Sequence, residues 1–416
     1  MKFLLLLRVL AVFLSAFKVS LMSNKWEDEN VLHRRKMIWV GVVLGLAALL
    51  LGGTVLGWQQ DHSASQRQAR VKPSKYREKV TRKDTAKTQA ALFDEKLDRS
   101  VETKAGQSFS EALTNDKFIG SALVIQHGKV IFNGGVGYAD QASQRLNGPT
   151  TLFQIGSIQK AITAVAVMQL VEAGKLRLDD PVSKYLSGIQ TGDQVTLRMM
   201  IDMRSGFALK KYQPAVMGDM DIIRWAIANM TYLPQQNYAY QPVNYLLLAG
   251  VIEKVAGRSY EQQVKNDIIE RLKLKHTGFL PAMLTDSNRS LTYTGPVTNP
   301  YQTFIGEPEL WYNRELGTGN MYTTTGDLYR LLRGIDSGKV ITLSALKTLR
   351  NRDDGVYTAG IYNHQDFYST HGVVAGQMAS TAISHDGQNA IILLSNYNSH
   401  ALNLHDLAVH LFHKLG

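Results

Sequence analysis

The chain of 416 residues contains no cysteine. This absence excludes disulfide bonds, thiolate metal sites and a cysteine nucleophile. A domain of several hundred residues can be stable without disulfides, because its hydrophobic core is large enough. Function must therefore be sought in serine, lysine, histidine, tyrosine and carboxylate side chains.

Charged residues are absent between Met37 and Trp58, a run rich in leucine, valine, glycine and alanine. An uncharged run of this length predicts a transmembrane helix of about 20 residues. The basic residues 33–36 favour a cytoplasmic segment over residues 1–36 and an extracellular C-terminal part, hence a single-pass protein of the cell membrane. Residues 1–21 resemble a signal peptide without a clear cleavage site, so Met22 is an alternative start.

Acidic residues are fewer than basic ones, and the formal net charge is +11. Much of this excess lies in residues 59–88, a polar segment with little apolar periodicity that is typical of a linker or stalk. Nucleic acid is a poor partner for a stalk outside the cell, so none is expected. Anionic lipid headgroups or anionic wall polymers are better partners for this basic linker, and a solvated spacer is the alternative.

A polar face is missing from the helix predicted over residues 157–174, and such a helix is normally buried. Lysine is rarely buried without a partner, because desolvation lowers the pKa of its ammonium group. Residues three apart share a helix face, so Lys160 can reach the Ser157 hydroxyl. With helix N-terminal N–H groups nearby to receive an oxyanion, the pair indicates acyl transfer.

The spacing of this pair is weak evidence by itself. Residues 15–18 and 344–347 also place a serine three positions before a lysine. From the pair and its helix alone, a serine that only caps the helix is an equally good interpretation.

Strands are predicted at both ends of a domain over residues 89–416. Residues 122–132 predict a hairpin around a turn at His127 and Gly128. Residues 379–395 predict another, with a two-residue turn at Asp386 and Gly387. A helix-rich middle and a C-terminal helix complete the pattern. We therefore expect an α+β fold: one antiparallel sheet built from both ends of the domain, flanked by helices, with a helical subdomain.

The order of the motifs in this domain resembles that of the serine β-lactamases and penicillin-binding proteins, most closely their class C-like branch. The resemblance covers roughly residues 90–416 and implies a β-lactamase/transpeptidase-like fold. An ordered set of motifs is far more specific than any single one. Its landmarks are residues 153–160, 176–185, 204–206, 238–240, 246–253, 317–321 and 371–372.

The resemblance implies catalytic roles for Ser157, Lys160 and Tyr240. Ser157 would be the nucleophile, and Lys160 the amine that helps to take its proton. Tyr240 would act with Lys160 as general base and later protonate the leaving group. That role requires a phenol that loses its proton well below pH 10. The alternative for Tyr240 is an aromatic residue of the core.

The resemblance also implies a site on a strand near the C-terminus. His371 begins the third motif, where it would help to hold an anionic substrate group and tune the tyrosine. As a lone histidine it has a structural role as its alternative. Gly372 and Val374 would contact the substrate, and the N–H groups of Ser157 and Val374 would bind the oxyanion.

Two departures from the family pattern concern the substrate. Relatives usually read Tyr-Ser-Asn where this chain has Tyr240, Gln241 and Pro242, and proline has no N–H or amide to offer. Val373 occupies the position of a usual glycine, where its bulk would narrow the approach of the substrate. Both departures argue against classical β-lactamase activity.

We therefore expect a membrane-anchored serine hydrolase that forms an acyl-serine intermediate outside the cell, on D-alanyl peptides or esters of the cell wall. The alternative is a catalytically weakened wall-binding or regulatory module of the same fold. No cofactor is expected. No metal site is expected either, because the C-terminal histidines do not place three side chains on one helix face: they are His400, His405, His410 and His413.

Overall fold

The computed structural model describes residues 88–233, 237–351, 357–398 and 402–416. The predicted cytoplasmic segment, the span from Met37 to Trp58 and nearly all of the basic linker lie outside the described residues. Within the described ranges, no helix is long and apolar enough to cross a membrane.

The strands form the framework of the domain. In chain order they are β1 (Val101–Glu102), β2 (Gly120–Gln126), β3 (Lys129–Val136), β4 (Tyr138–Asp140), β5 (Arg145–Leu146), β6 (Phe153–Gln154), β7 (Phe207–Ala208), β8 (Thr231–Tyr232), β9 (Gly278–Phe279), β10 (Thr292–Thr294), β11 (Thr303–Ile305), β12 (Met321–Thr323), β13 (Tyr357–Thr358), β14 (Ile361–Asn363), β15 (Phe367–Val374), β16 (Gln377–Ser384), β17 (Ala390–Ser395) and β18 (Tyr397–Asn398).

The helices pack around these strands. They are α1 (Gln89–Lys96), α2 (Lys104–Asn115), α3 (Gln159–Glu172), α4 (Leu197–Ile201), α5 (Asp219–Asn229), α6 (Val243–Ala256), α7 (Tyr260–Val264), α8 (Glu309–Asn313), α9 (Thr325–Asp336), α10 (Leu343–Arg350) and α11 (Leu404–His413). Short 3₁₀ turns cover Gly156–Ile158, Val182–Lys184 and Ala282–Thr285, and a π turn covers Lys265–Ile269.

The main sheet has eight strands in the order β1-β3-β2-β17-β16-β15-β14-β13, and every neighbouring pair is antiparallel. Strand β17 pairs with β2 from Ala390 opposite Ile125 to Ser395 opposite Gly120. The prediction of one sheet built from both ends of the domain is confirmed.

The sequence predicted the turn of the first hairpin correctly and that of the second incorrectly. His127 and Gly128 form a two-residue turn with φ values of 49° and 70°, as expected for a type I′ hairpin. The two-residue turn predicted at Asp386 is wrong, because five residues connect β16 to β17. Asp386 instead closes that loop by accepting hydrogen bonds from the Ser384 hydroxyl and the Gln388 N–H.

The sheet separates two hydrophobic cores, because successive side chains of a strand point to opposite faces. On β2, Leu123 and Ile125 belong to the larger core, which includes α3, α6 and α9. Ala122 and Val124 belong to the smaller core, which includes α2 and α11. Helix α3 lies on the larger-core side with its side chains buried on all faces, as its lack of a polar face predicted.

Candidate active site

The nucleophile candidate lies on a tight turn between β6 and α3. Gly156 has a φ of +50°, a conformation that favours glycine, and the turn continues directly into α3. A methyl group on Gly156 would lie 2.9 Å from the N atom of Val373 on β15. The glycine therefore allows Ser157 to sit directly against the edge of the main sheet.

Lys160 lies one helical turn after Ser157 and is only 1% exposed. Its Nζ donates hydrogen bonds to Ser157 Oγ at 2.9 Å and to the Thr318 carbonyl oxygen at 3.1 Å. Burial lowers the pKa of Lys160 to about 8, although the nearby Glu315 carboxylate opposes this shift. A neutral amine is thus available close to neutral pH.

Tyr240 reaches the same hydroxyl from the segment before α6. Its Oη donates a hydrogen bond to Ser157 Oγ at 2.8 Å, and Lys160 Nζ lies 5.3 Å from the centre of its ring. Burial raises the pKa of Tyr240 to about 12, and the charge of Glu315 also raises it. The phenol therefore holds its proton, whereas the expected role as general base requires a phenol that ionises well below pH 10.

These two shifts divide the acid–base roles differently from the sequence-based expectation. The lowered pKa of Lys160 suits a general base, and the raised pKa of Tyr240 suits a proton donor. In the amine form, Lys160 can accept the Ser157 proton while the Tyr240 hydroxyl donates to the same oxygen. The arrangement can activate Ser157 as a nucleophile without any ionised tyrosine.

The register of β15 shows which of its N–H groups faces Ser157. Val374 and Gln377 flank a two-residue turn, so their N–H and C=O groups bond to each other across the hairpin. Because hydrogen-bonding direction alternates along a strand, the N–H of Val373 points to the opposite edge. Among the described residues, β14 pairs with β15 only at Tyr368 and Ser369, which leaves this edge open at Val373.

The second oxyanion N–H expected from Val374 is therefore better assigned to Val373, opposite the N–H of Ser157. Gly372 provides the close contact: a methyl group there would lie 2.5 Å from Ser157 N. Gly372 thus fills the role of the required glycine. The side chain of Val373 is 60% exposed, and strand alternation turns it to the other face, away from Gly372.

His371 does not join this group, because alternation along β15 also turns its ring to the α11 face. The ring stacks on Tyr362, with centroids 5.3 Å apart, and lies 4.4 Å from the ring of His405. Burial lowers the pKa of His371 to about 4, and neighbouring His405 adds to this effect. The ring is neutral at pH 7, so the expected role in holding an anionic group is corrected to packing.

Sequence reasoning missed two contributors to the site. Thr318 supplies the carbonyl oxygen that Lys160 contacts, and Glu315 places a carboxylate close enough to affect both Lys160 and Tyr240. Both lie at or just before the glycine-containing motif at residues 317–321, but nothing in that motif indicates a carboxylate role.

Pro242 precedes the first turn of α6, where a missing N–H leaves no helical hydrogen bond unmade.

The described residues contain no cluster of histidines and carboxylates that could hold a metal ion. His405 contacts Ser369 and the His371 ring instead. The candidate site therefore consists of a serine, a lysine, a tyrosine and two backbone N–H groups.

Residues 106–409 match the beta-lactamase family, so the chain belongs to that family. It is a serine hydrolase of the β-lactamase fold. A Bacillus subtilis (strain 168) protein named as a penicillin-binding protein, PbpX, is 27% identical over 371 residues, 89% of this chain and 92% of that protein.

Two staphylococcal matches and one amidase complete the comparison. A teichoic acid D-alanine hydrolase of Staphylococcus aureus (strain MRSA252) is 33% identical over 233 residues, which cover 55% of this chain and 57% of that protein. The crystal structure of FmtA from Staphylococcus aureus matches with a TM-score of 0.67 and 25% identity, over 76% of this chain and 88% of that one. A D-amino acid amidase from Ochrobactrum anthropi SV3 shares the fold, with a TM-score of 0.59 and 17% identity.

Proposed function

We propose that this protein hydrolyses D-alanyl substrates of the cell wall, D-alanyl esters or peptides, through an acyl-enzyme on Ser157. The observation that carries the proposal is the pair of hydrogen bonds that Lys160 Nζ and Tyr240 Oη make to Ser157 Oγ. The names of two relatives, a teichoic acid D-alanine hydrolase and a D-amino acid amidase, support the choice of a D-alanyl group.

Acylation begins when the Lys160 amine takes the proton of Ser157 and Oγ attacks the carbonyl carbon of the substrate. The developing oxyanion accepts hydrogen bonds from the N–H groups of Ser157 and Val373. Tyr240 gives its proton to the leaving oxygen or nitrogen as the bond to the acyl carbon breaks. The ammonium of Lys160 then gives its extra proton to the neighbouring Tyr240 phenolate, which restores a neutral amine and a neutral phenol.

Deacylation uses the same groups in reverse. A water molecule takes the place of the departed group, Lys160 removes its proton, and the hydroxide attacks the acyl carbon. The tetrahedral intermediate collapses, and Ser157 Oγ leaves with the proton that Lys160 took from the water. Free D-alanine or a D-alanyl peptide is released. Burial lowers the pKa of Lys160 to about 8, which makes the neutral amine accessible for this second proton transfer.

The proposal extends to location. The uncharged run from Met37 to Trp58 would anchor the chain in the cell membrane, with the catalytic domain outside the cell. The basic linker would then lie between membrane and wall, where it could contact anionic polymers or lipid headgroups. Protease protection of the domain in intact cells, compared with lysed cells, tests this orientation.

A fluorophosphonate probe tests the chemistry directly. The full chain in detergent solution is incubated with the probe, and separately with a β-lactam, and its intact mass is measured. We expect a single fluorophosphonate adduct that Ser157→Ala abolishes. Ser344→Ala is the matched control, because Ser344 also precedes a lysine by three residues but is exposed on α10.

Absence of any adduct on the folded wild-type chain would contradict the hydrolase proposal. That outcome would favour a wall-binding or regulatory module of the same fold, as the lack of an amide donor at Pro242 would allow. A fluorophosphonate adduct without a β-lactam adduct would agree with an enzyme that handles esters rather than β-lactams.

A further inference from the structure

Glu315 places an acidic side chain beside the nucleophile turn. Its carboxylate accepts a hydrogen bond from the Thr318 hydroxyl at 2.6 Å, and its carbonyl oxygen accepts bonds from the N–H groups of Thr318 and Gly319. A methyl group on Gly319 would lie 2.9 Å from Glu315 Oε2 and 3.3 Å from Cα of Gly156. Only the width of one glycine separates this carboxylate from the turn that carries Ser157.

The carboxylate is available to a ligand. Glu315 is half-buried, and it forms no ion pair among the residues that the structure describes. Its carboxylate accepts a hydrogen bond from the Thr318 hydroxyl. The charge of Glu315 opposes the lowering of the Lys160 pKa and adds to the raised pKa of Tyr240, as expected for a carboxylate close to both groups. A negative charge at this position attracts a cation and repels an anion.

Strand β15, on the opposite side of the site, offers no balancing cation among its described residues. The ring of His371 is neutral at pH 7 and faces α11, and the exposed side chain of Val373 is apolar. A peptide donor has an amide where an aminoacyl ester has a free α-ammonium, so it brings no positive charge to Glu315. The α-ammonium of the ester lies two bonds from the carbonyl carbon that Ser157 attacks.

We propose that Glu315 binds the free α-ammonium of the acyl donor and so makes the enzyme selective for donors that carry this group, as D-alanyl esters do. The inference rests on the acyl-serine hydrolase proposed above. The charge-assisted hydrogen bond from ammonium to carboxylate orients the acyl group, so that its carbonyl oxygen points to the N–H groups of Ser157 and Val373.

Two glycerol esters that differ in one group test this selectivity. D-alanyl glycerol carries the ammonium, and D-lactyl glycerol has a hydroxyl in its place. We expect the wild-type chain at about pH 6.5 to prefer the D-alanyl ester in kcat/KM by about 10- to 100-fold. Glu315→Gln should remove this preference, because it weakens binding of the D-alanyl ester and raises its KM, whereas any effect on Lys160 or Tyr240 acts on both esters and cancels in the ratio of their kcat/KM values.

Glu309→Gln is the matched control, because it removes a carboxylate from the same segment at an exposed position. It should keep the wild-type preference. If Glu315→Gln changes both esters by the same factor, or if the wild-type chain shows no preference, Glu315 does not recognise the ammonium and the selectivity proposal is overturned. If the wild-type chain hydrolyses neither ester and Ser157 takes up no fluorophosphonate, the hydrolase proposal itself fails, which is a different result.

Discussion

A basic side chain lies on each face of strand β15, the buried Lys160 on one and the half-buried His371 on the other, and only Lys160 contacts the nucleophile candidate. On the α3 side, Lys160 contacts Ser157 and the Thr318 carbonyl oxygen. On the α11 side, the ring of His371 stacks on Tyr362 and lies against the tilted ring of His405, and its Nδ1 has no hydrogen-bond partner among the described residues.

Burial acts in the same direction on both groups, because removing water penalises the charged form of any base. It lowers the pKa of Lys160 to about 8 and the pKa of His371 to about 4. Lysine starts from a higher ordinary value, so the same physical effect leaves it able to exchange a proton near neutral pH. The histidine is left permanently neutral there. A lysine is therefore better suited than a histidine to act as a base in a buried position.

Removal of the Lys160 amine is expected to give the largest effect. Lys160→Met keeps the length of the side chain but cannot accept the Ser157 proton, so kcat/KM for an ester should fall by about 10²- to 10⁴-fold. His371→Phe, on the other face, should stay within about threefold of wild type, since the ring stack is retained. Steady-state hydrolysis of D-alanyl glycerol by both variants, with circular dichroism to confirm folding, measures the contrast. A comparable loss of kcat/KM in His371→Phe would contradict the conclusion that only the α3 side of β15 takes part in proton transfer.

A methyl group at Gly372 is expected to give the next largest effect. Gly372→Ala places that methyl 2.5 Å from Ser157 N, so either the strand or the nucleophile turn must shift and the oxyanion site widens. Loss of one oxyanion N–H lowers kcat by about 10²- to 10³-fold in enzymes of this kind. Val373→Ala is the control, because its exposed side chain faces away from Gly372 while its N–H is kept. Equal activity of Gly372→Ala and wild type would show that β15 does not supply the oxyanion site.

The pH dependence of kcat/KM should show whether Lys160 or His371 is the base, and this prediction involves the smallest change in absolute rate. Because Lys160 must be neutral to act, kcat/KM should rise with pH, about tenfold per unit below 8, and level off above about 8. His371→Phe should leave this midpoint unchanged, since the histidine is already neutral throughout the range. Stopped assays between about pH 5 and 10 give both profiles. A midpoint near 6.5 that disappears in His371→Phe would assign the base to the histidine instead.

The sequence indicated the parts of this architecture that depend on local pattern. The apolar surface of α3, the turn at His127 and the pairing of strands from both ends of the domain follow from periodicity and turn chemistry. The grouping of Ser157, Lys160 and Tyr240 was expected from family resemblance, and the structure brings these three side chains together.

The parts that the sequence did not reveal depend on register and burial. Side chains and N–H groups alternate in direction along β15, so an error of one residue in register assigns them to the wrong side. The expected roles of His371 and Val374 both depended on a register that differs from the observed one by one residue. The raised pKa of Tyr240 follows from its burial, which no motif states. Glu315 comes close to Ser157 only because Gly319 lies against Gly156, a tertiary contact between distant segments.

The pairing of β2 with β17 also sets an order on biosynthesis. Residues 120–126 leave the ribosome long before residues 390–395, which are their neighbours in the finished sheet. Until then the hairpin of β2 and β3 has an open, largely apolar edge, and the intervening helices have no sheet to cover. Completion of the main sheet is therefore a late event, because the edge of β2 stays unpaired until the last strands are made.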